Sequence, residues 1–160
     1  MSMKLKKEVE TLFQPVLGRR AWGAKAGWGS FVTIEFGERH LQQHHYHGDW
    51  HLWLYQCDWT LNSETHEMTN SESKKGLIQT AIDNLNQLEL LGLSFDAERM
   101  ATEFLFQGNL RLRCQPYPNA KPDEQCWMLF MPDKQVASLT TQGLRYEAVG
   151  DTPEKTLTSR

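Results

Sequence analysis

Apolar and polar side chains alternate with a period of two in two stretches, Ser30 to Phe36 and Trp50 to Trp59, and that period marks β-strands. In the first, Val32, Ile34 and Phe36 share one face while Phe31, Thr33 and Glu35 share the other. In the second, Leu52 and Leu54 lie with Trp50 and Gln56, and His51, Trp53, Tyr55, Cys57 and Trp59 lie opposite. Antiparallel pairing of the two puts the aliphatic set in the core. It leaves a second face of aromatics, a thiol and a carboxylate that is too apolar to be simply solvated.

The rest of the chain is read from the same periodicities. Leu5, Val9, Leu12 and Phe13 stand near helical spacing and predict an amphipathic helix over 3–13 that ends before Pro15. The glycines from Gly18 to Gly27 predict an irregular strand with a bulge over 16–26, and Gly27-Trp28-Gly29 predicts a turn. Residues 62–70 read as a polar loop. A helix capped by Asn70 or Ser71 follows, with Leu77, Ile78, Ala81, Ile82 and Leu85 as its stripe. Strands are predicted over 88–95, 100–106, 110–114, 126–131, 135–139 and 145–149. Gln107-Gly108-Asn109 turns one hairpin and Pro132 presets the turn of another. The prediction is an α+β fold: a single domain over 1–149 with a large curved antiparallel sheet, or a partly closed barrel, an N-terminal helix and a central helix. Residues 150–160 carry too few apolar side chains to be held down and are expected to be a flexible C-terminal tail.

Composition changes this picture little. A chain of 160 residues has the length of one domain, and its six Trp, seven Phe and four Tyr supply a core with aromatics to spare. The formal charge of −3 gives no support to a nucleic-acid-binding surface. Lys4, Lys6 and Lys7 imitate the start of a signal peptide, but Glu8 and Glu10 follow at once. No apolar run approaches the roughly 18 residues of a membrane helix, so no membrane partner is expected and the cytoplasm is the expected location. Cys57, Cys114 and Cys126 are odd in number and distant in sequence, without a Cys-x-x-Cys pair, so neither a disulfide framework nor a zinc knuckle is indicated.

The block Gly27 to Gly37 reads Gly-x-Gly-Ser-Phe-x-Thr-x-Glu-Phe-Gly, and Trp50 to Trp59 reads Trp-x-Leu-Trp-x-Tyr-x-Cys-x-Trp. Over roughly the first 130 residues, this pattern resembles a family of small uncharacterised bacterial proteins. The resemblance implies that the two blocks belong to one compact domain, and it brings no activity with it.

Three constellations carry candidate chemistry. His40, His44, His45, His47 and His51 crowd one short segment, and His45, His47 and His51 are the set that could offer neutral imidazoles to a divalent metal. Against that, no familiar zinc spacing is present, and histidine is a tolerated polar residue in a soluble loop. Glu35, among aromatics and near His51, could serve as a general acid or base, or could pair with Arg19, Arg20 or Arg39 as a structural ion pair. Gly27-Trp28-Gly29-Ser30-Phe31 departs from the nucleophile elbow, which argues against a serine hydrolase. With no convergent catalytic set, the leading expectation is a non-enzymatic domain. It would bind a protein partner or small molecule through Phe31, Thr33, Glu35, His51, Trp53 and Tyr55, with no nucleic acid and no cofactor. The alternative is a metal-binding protein or metal-dependent enzyme built on residues 40–51.

Overall fold

A computed structural model describes residues 2–149. Helix α1 (Ser2–Phe13) ends where predicted, and Pro15 sits in the single 3-10 turn Gln14–Val16 that follows it. Thirteen strands then surround one further helix: β1 (Ala21–Ala26), β2 (Val32–Phe36), β3 (His40–Gln42), β4 (His45–His47), β5 (Trp50–Leu54), β6 (Asp58–Asn62), β7 (Glu67–Asn70), α2 (Lys75–Ile82), β8 (Leu90–Asp96), β9 (Ala101–Phe106), β10 (Leu110–Gln115), β11 (Trp127–Phe130), β12 (Gln135–Thr140) and β13 (Gly143–Ala148). They form a six-stranded sheet in the order β1-β2-β5-β11-β12-β13, a five-stranded sheet in the order β7-β6-β10-β9-β8, and the hairpin β3-β4. Every pairing among them is antiparallel. The fold is therefore α+β with a large antiparallel sheet, an N-terminal helix and a central helix, and its described residues form no closed barrel.

The two sheets share one core. Val32, Ile34 and Phe36 from β2, Leu52 and Leu54 from β5 and Trp127 and Leu129 from β11 pack with Phe104, Phe106 and Leu112 of the other sheet. Phe36 stacks on Phe106 with centroids 6.5 Å apart, and the Trp127 indole donates across the gap to Thr102 Oγ1 at 2.9 Å. Phe13 meets Phe104 of one sheet and Trp127 of the other edge-on, at 5.3 and 5.2 Å, so α1 is fastened to both. Along one side the sheets also join through backbone. Gly18 and Ala21 donate to Leu90 and Leu88, and Leu90 and Gln87 donate to Arg19 and Ala21.

Several local expectations change. The stretch 50–59 is two strands, broken between Leu54 and Asp58, and the second belongs to the other sheet. Alternation does not survive that break, so Trp59 is turned into the shared core and away from the face of Trp53. Residues 62–70 contain β7, because Ser63 and His66 close a turn that brings Leu61 opposite Thr69. Helix α2 starts at Lys75 and not near Ser71: the Ser71 and Ser73 hydroxyls accept the Trp59 and Asn70 N–H groups and hold the preceding turn. Ile78, Ala81, Ile82 and Leu85 are buried as the stripe requires, but Leu77 is exposed. The expected bulge in β1 lies between Trp22 and Lys25, with Gly23 at a φ of 61°. The segment 150–160, expected to be a flexible tail, lies outside the described residues.

Phe13 is fully buried between the sheets, so Phe13→Ala is expected to cost about 3–5 kcal/mol. Urea unfolding of the two proteins measures it. A loss under about 1 kcal/mol would mean that α1 is not a fastening of the core.

Candidate functional site

The outward face of the six-stranded sheet gathers most of the residues that the sequence singles out. Register pairs Glu35 with His51 and Thr33 with Trp53 across β2 and β5, and β11 places Phe130 and Met128 on the other side of His51 and Trp53. Trp53, Met128, Phe130 and Val136 form a small second core here, with Phe31, Tyr55 and Val149 packed against it. Phe31 meets Trp53 edge-on at 4.7 Å and Tyr55 at 5.9 Å.

Beneath those rings runs a buried polar chain. The Gly48 N–H donates to Glu35 Oε1 at 2.8 Å, Glu35 Oε2 pairs with His51 Nδ1, and His51 Nε2 accepts the Trp53 indole N–H at 2.5 Å. Because indole can only donate, Nε2 is the acceptor and Nδ1 carries the proton toward the carboxylate. Gly48 has to be glycine, since a Cβ there would lie 2.3 Å from the Phe36 carbonyl oxygen. Glu35 thus takes His51 as its partner in place of an arginine. Arg19 and Arg39 lie instead over the Trp50 and Trp22 rings, at 4.5 and 4.1 Å. Both ring nitrogens of His51 are engaged. Glu35, His51 and Trp53 are floor, and Phe31, Thr33 and Tyr55 are the half-buried members of the face.

The histidine segment is a hairpin, not a loop. Gln43 and His44 make its turn at φ of 50° and 70°, as two-residue hairpin turns require. His40 stands opposite His47 with ring centroids 5.7 Å apart, and His45 stands opposite Gln42. The other side of the hairpin carries the exposed pair Leu41 and Tyr46. His40 Nε2 bonds Asp49 Oδ1 at 2.6 Å, and the Glu38 N–H donates to Asp49 Oδ2 at 2.9 Å. The Glu38 N–H and then His40 hold the Asp49 carboxyl below its ordinary value. His45 and His47 therefore share a side, as alternation predicts, while His51 is committed to Glu35 and Trp53.

A third cluster is one that sequence reasoning missed. Cys57, Cys114 and Cys126 are all buried and free, and their sulfur atoms lie within 4.8 Å of one another. Cys57 lies in the break between β5 and β6, Cys114 is opposite Trp59 and Thr102 on β10, and Cys126 precedes β11 and accepts the Tyr55 N–H at 3.0 Å. S–H donation from Cys126 and Cys57, with further donors on Thr102, holds the Cys114 thiol well below its usual range. Donating toward Cys114 pushes the thiols of Cys57 and Cys126 up, and burial adds to it. Alternation in β10 does predict that Cys114 points inward. Nothing in the sequence pairs β10 with β6, or sets residue 126 beside residue 55.

Comparison with family models, with curated proteins and with solved structures finds no match to this chain.

Two expectations follow. Removing the Glu35 carboxylate leaves the Gly48 N–H and the His51 Nδ1–H as unmet donors in a buried layer, so Glu35→Ala should cost about 2–6 kcal/mol in urea unfolding. Asp49 titrates lower in the folded than in the unfolded chain, so the unfolded chain takes up this proton first as the pH falls. Its stabilisation is full above about pH 4 and is lost as the pH drops through the folded value. Asp49→Asn should therefore cost about 0.5 kcal/mol at neutral pH and progressively less in acid. An equal cost at pH 7 and pH 3, by denaturant unfolding, would remove the charge from the explanation.

Proposed function

We propose that the protein is a non-enzymatic cytoplasmic domain that binds a protein partner through the rim of the outward sheet face, at Phe31, Thr33 and Tyr55. The observation that carries this reading is that Phe31 and Tyr55 stay half open above a layer that is already satisfied. Glu35, His51 and Trp53 have their partners within the chain, so that layer stiffens the rim without presenting an idle acid or base. Rings held from below at 4.7 and 6.0 Å by Trp53 lose little freedom on contact, which is how aromatic anchors supply binding energy. Trp28 is 76% exposed in the turn that leads to Phe31, whose N–H donates to the Trp28 carbonyl. Two open clefts, one along β6 and β7 and one between α1 and β13, are lined by other residues.

Affinity capture with untagged protein as competitor tests the reading. Phe31→Ala combined with Tyr55→Ala should weaken a saturable partner by about tenfold or more while the fold is kept, judged by circular dichroism. If the double variant captures and competes like the wild type, the rim is not the binding surface.

A second reading, a divalent-metal-binding protein or metal-dependent enzyme using residues 40–51, is favoured by the opposed His40 and His47 rings and by Asp49 on His40. Zinc titration of the untagged protein would have to give one equivalent that is lost in His45→Ala and His47→Ala. Unchanged uptake in both variants removes this reading.

A further inference from the structure

We propose that Cys57, Cys114 and Cys126 form a site for one soft, thiophilic ion held by three sulfur atoms. Cysteine is an ordinary small apolar core residue, and that role asks nothing of the direction of its sulfur. Here three segments distant in sequence aim their sulfurs at one point, with every separation within 4.8 Å. An ion about 2.3 Å from each of three sulfurs spaces them about 4 Å apart when it lies in their plane and about 3.3 Å apart when its bonds are pyramidal, so the side chains need to close by at most about 0.8 or 1.5 Å respectively.

The surroundings are those of a ligand set. The Trp127 indole donates to Thr102 Oγ1, which leaves the Thr102 hydroxyl proton free to point at Cys114, its cross-strand neighbour. Thr102 and Cys114 are fully buried, so the hydroxyl and the thiol meet in an apolar core.

Three sulfurs, with no other ligand clustered on them among the described residues, select the chemical class. Thiolates favour soft ions such as Cu(I), with Zn(II) as a borderline case that completes its shell with one oxygen or nitrogen. Trivalent arsenic fits the charge of the site best: As(OH)₃ and three thiols give As(SR)₃ and three waters, and the product is neutral. Cu(I) displaces the proton of each thiol that binds it as thiolate, and three thiolates around it leave a net charge of −2, which an apolar core resists. The site is distinct from the histidine hairpin, where the donors are imidazole and carboxylate.

Untagged protein, reduced and freed of added thiol under nitrogen, is incubated separately with arsenite, Cu(I) and Zn(II), desalted and measured by native mass spectrometry and X-ray absorption. The expected result is one retained equivalent of at least one ion with three sulfur neighbours and a raised Tm for that form. Cys57→Ala, Cys114→Ala and Cys126→Ala should each lower retention by about tenfold or more. A buried substitution can disturb folding, so the coordination shell of the wild type is the deciding readout. Retention of none of the three ions, or a shell of nitrogen and oxygen alone, overturns the proposal.

Discussion

The arrangement of the whole chain depends on the break between Leu54 and Asp58. There the strand that is central to one sheet leaves it and enters the other. Tyr55 and Gln56 keep donating to Cys126 and Gln125, so the pairing with the segment before β11 is carried into the bend. Beyond it β6 pairs with β7 and β10. A strand that switches sheets ties the two layers covalently. It also changes which side of the chain faces inward. Trp53 ends up on the outer face and Trp59 in the shared core, although both stand at positions of the same parity.

That break accounts for the contrast between the two polar or nucleophilic layers. On the outer face, Glu35, His51 and Trp53 exchange hydrogen bonds across neighbouring strands, and each buried group finds its complement. Such a layer has a high cost if one member is removed and offers little to a reaction. At the break itself, three thiols meet and have mainly one another as partners. The first arrangement is closed chemically, whereas the second is a concentration of soft donors whose foremost partners are one another.

The hairpin of residues 40–47 connects β2 and β5 beyond the end of their pairing, and its two sides differ in character. Histidines oppose one another on one side, and Leu41 and Tyr46 oppose one another on the other, both exposed. Its position is fixed from the base, where Asp49 receives His40 and the Glu38 N–H while Gly48 passes close to the Phe36 carbonyl.

Periodicity by itself determined the two helices, most of the strands though not β3, β4 or β7, the inward set Val32, Ile34, Phe36, Leu52 and Leu54, and the outward set of Phe31, Thr33, Glu35, His51 and Trp53. These are properties of neighbours a few residues apart, and side-chain direction in a regular strand follows from parity alone. The hairpin at Gly108 and Asn109 was legible for the same reason, since both residues take the positive φ that their types tolerate. Tertiary structure alone decided the end of β5, the turning of Trp59, the pairing of Glu35 with His51 in place of an arginine, and the meeting of Cys57, Cys114 and Cys126. Each depends on which strands lie side by side, and local alternation is the same whichever neighbour a strand acquires.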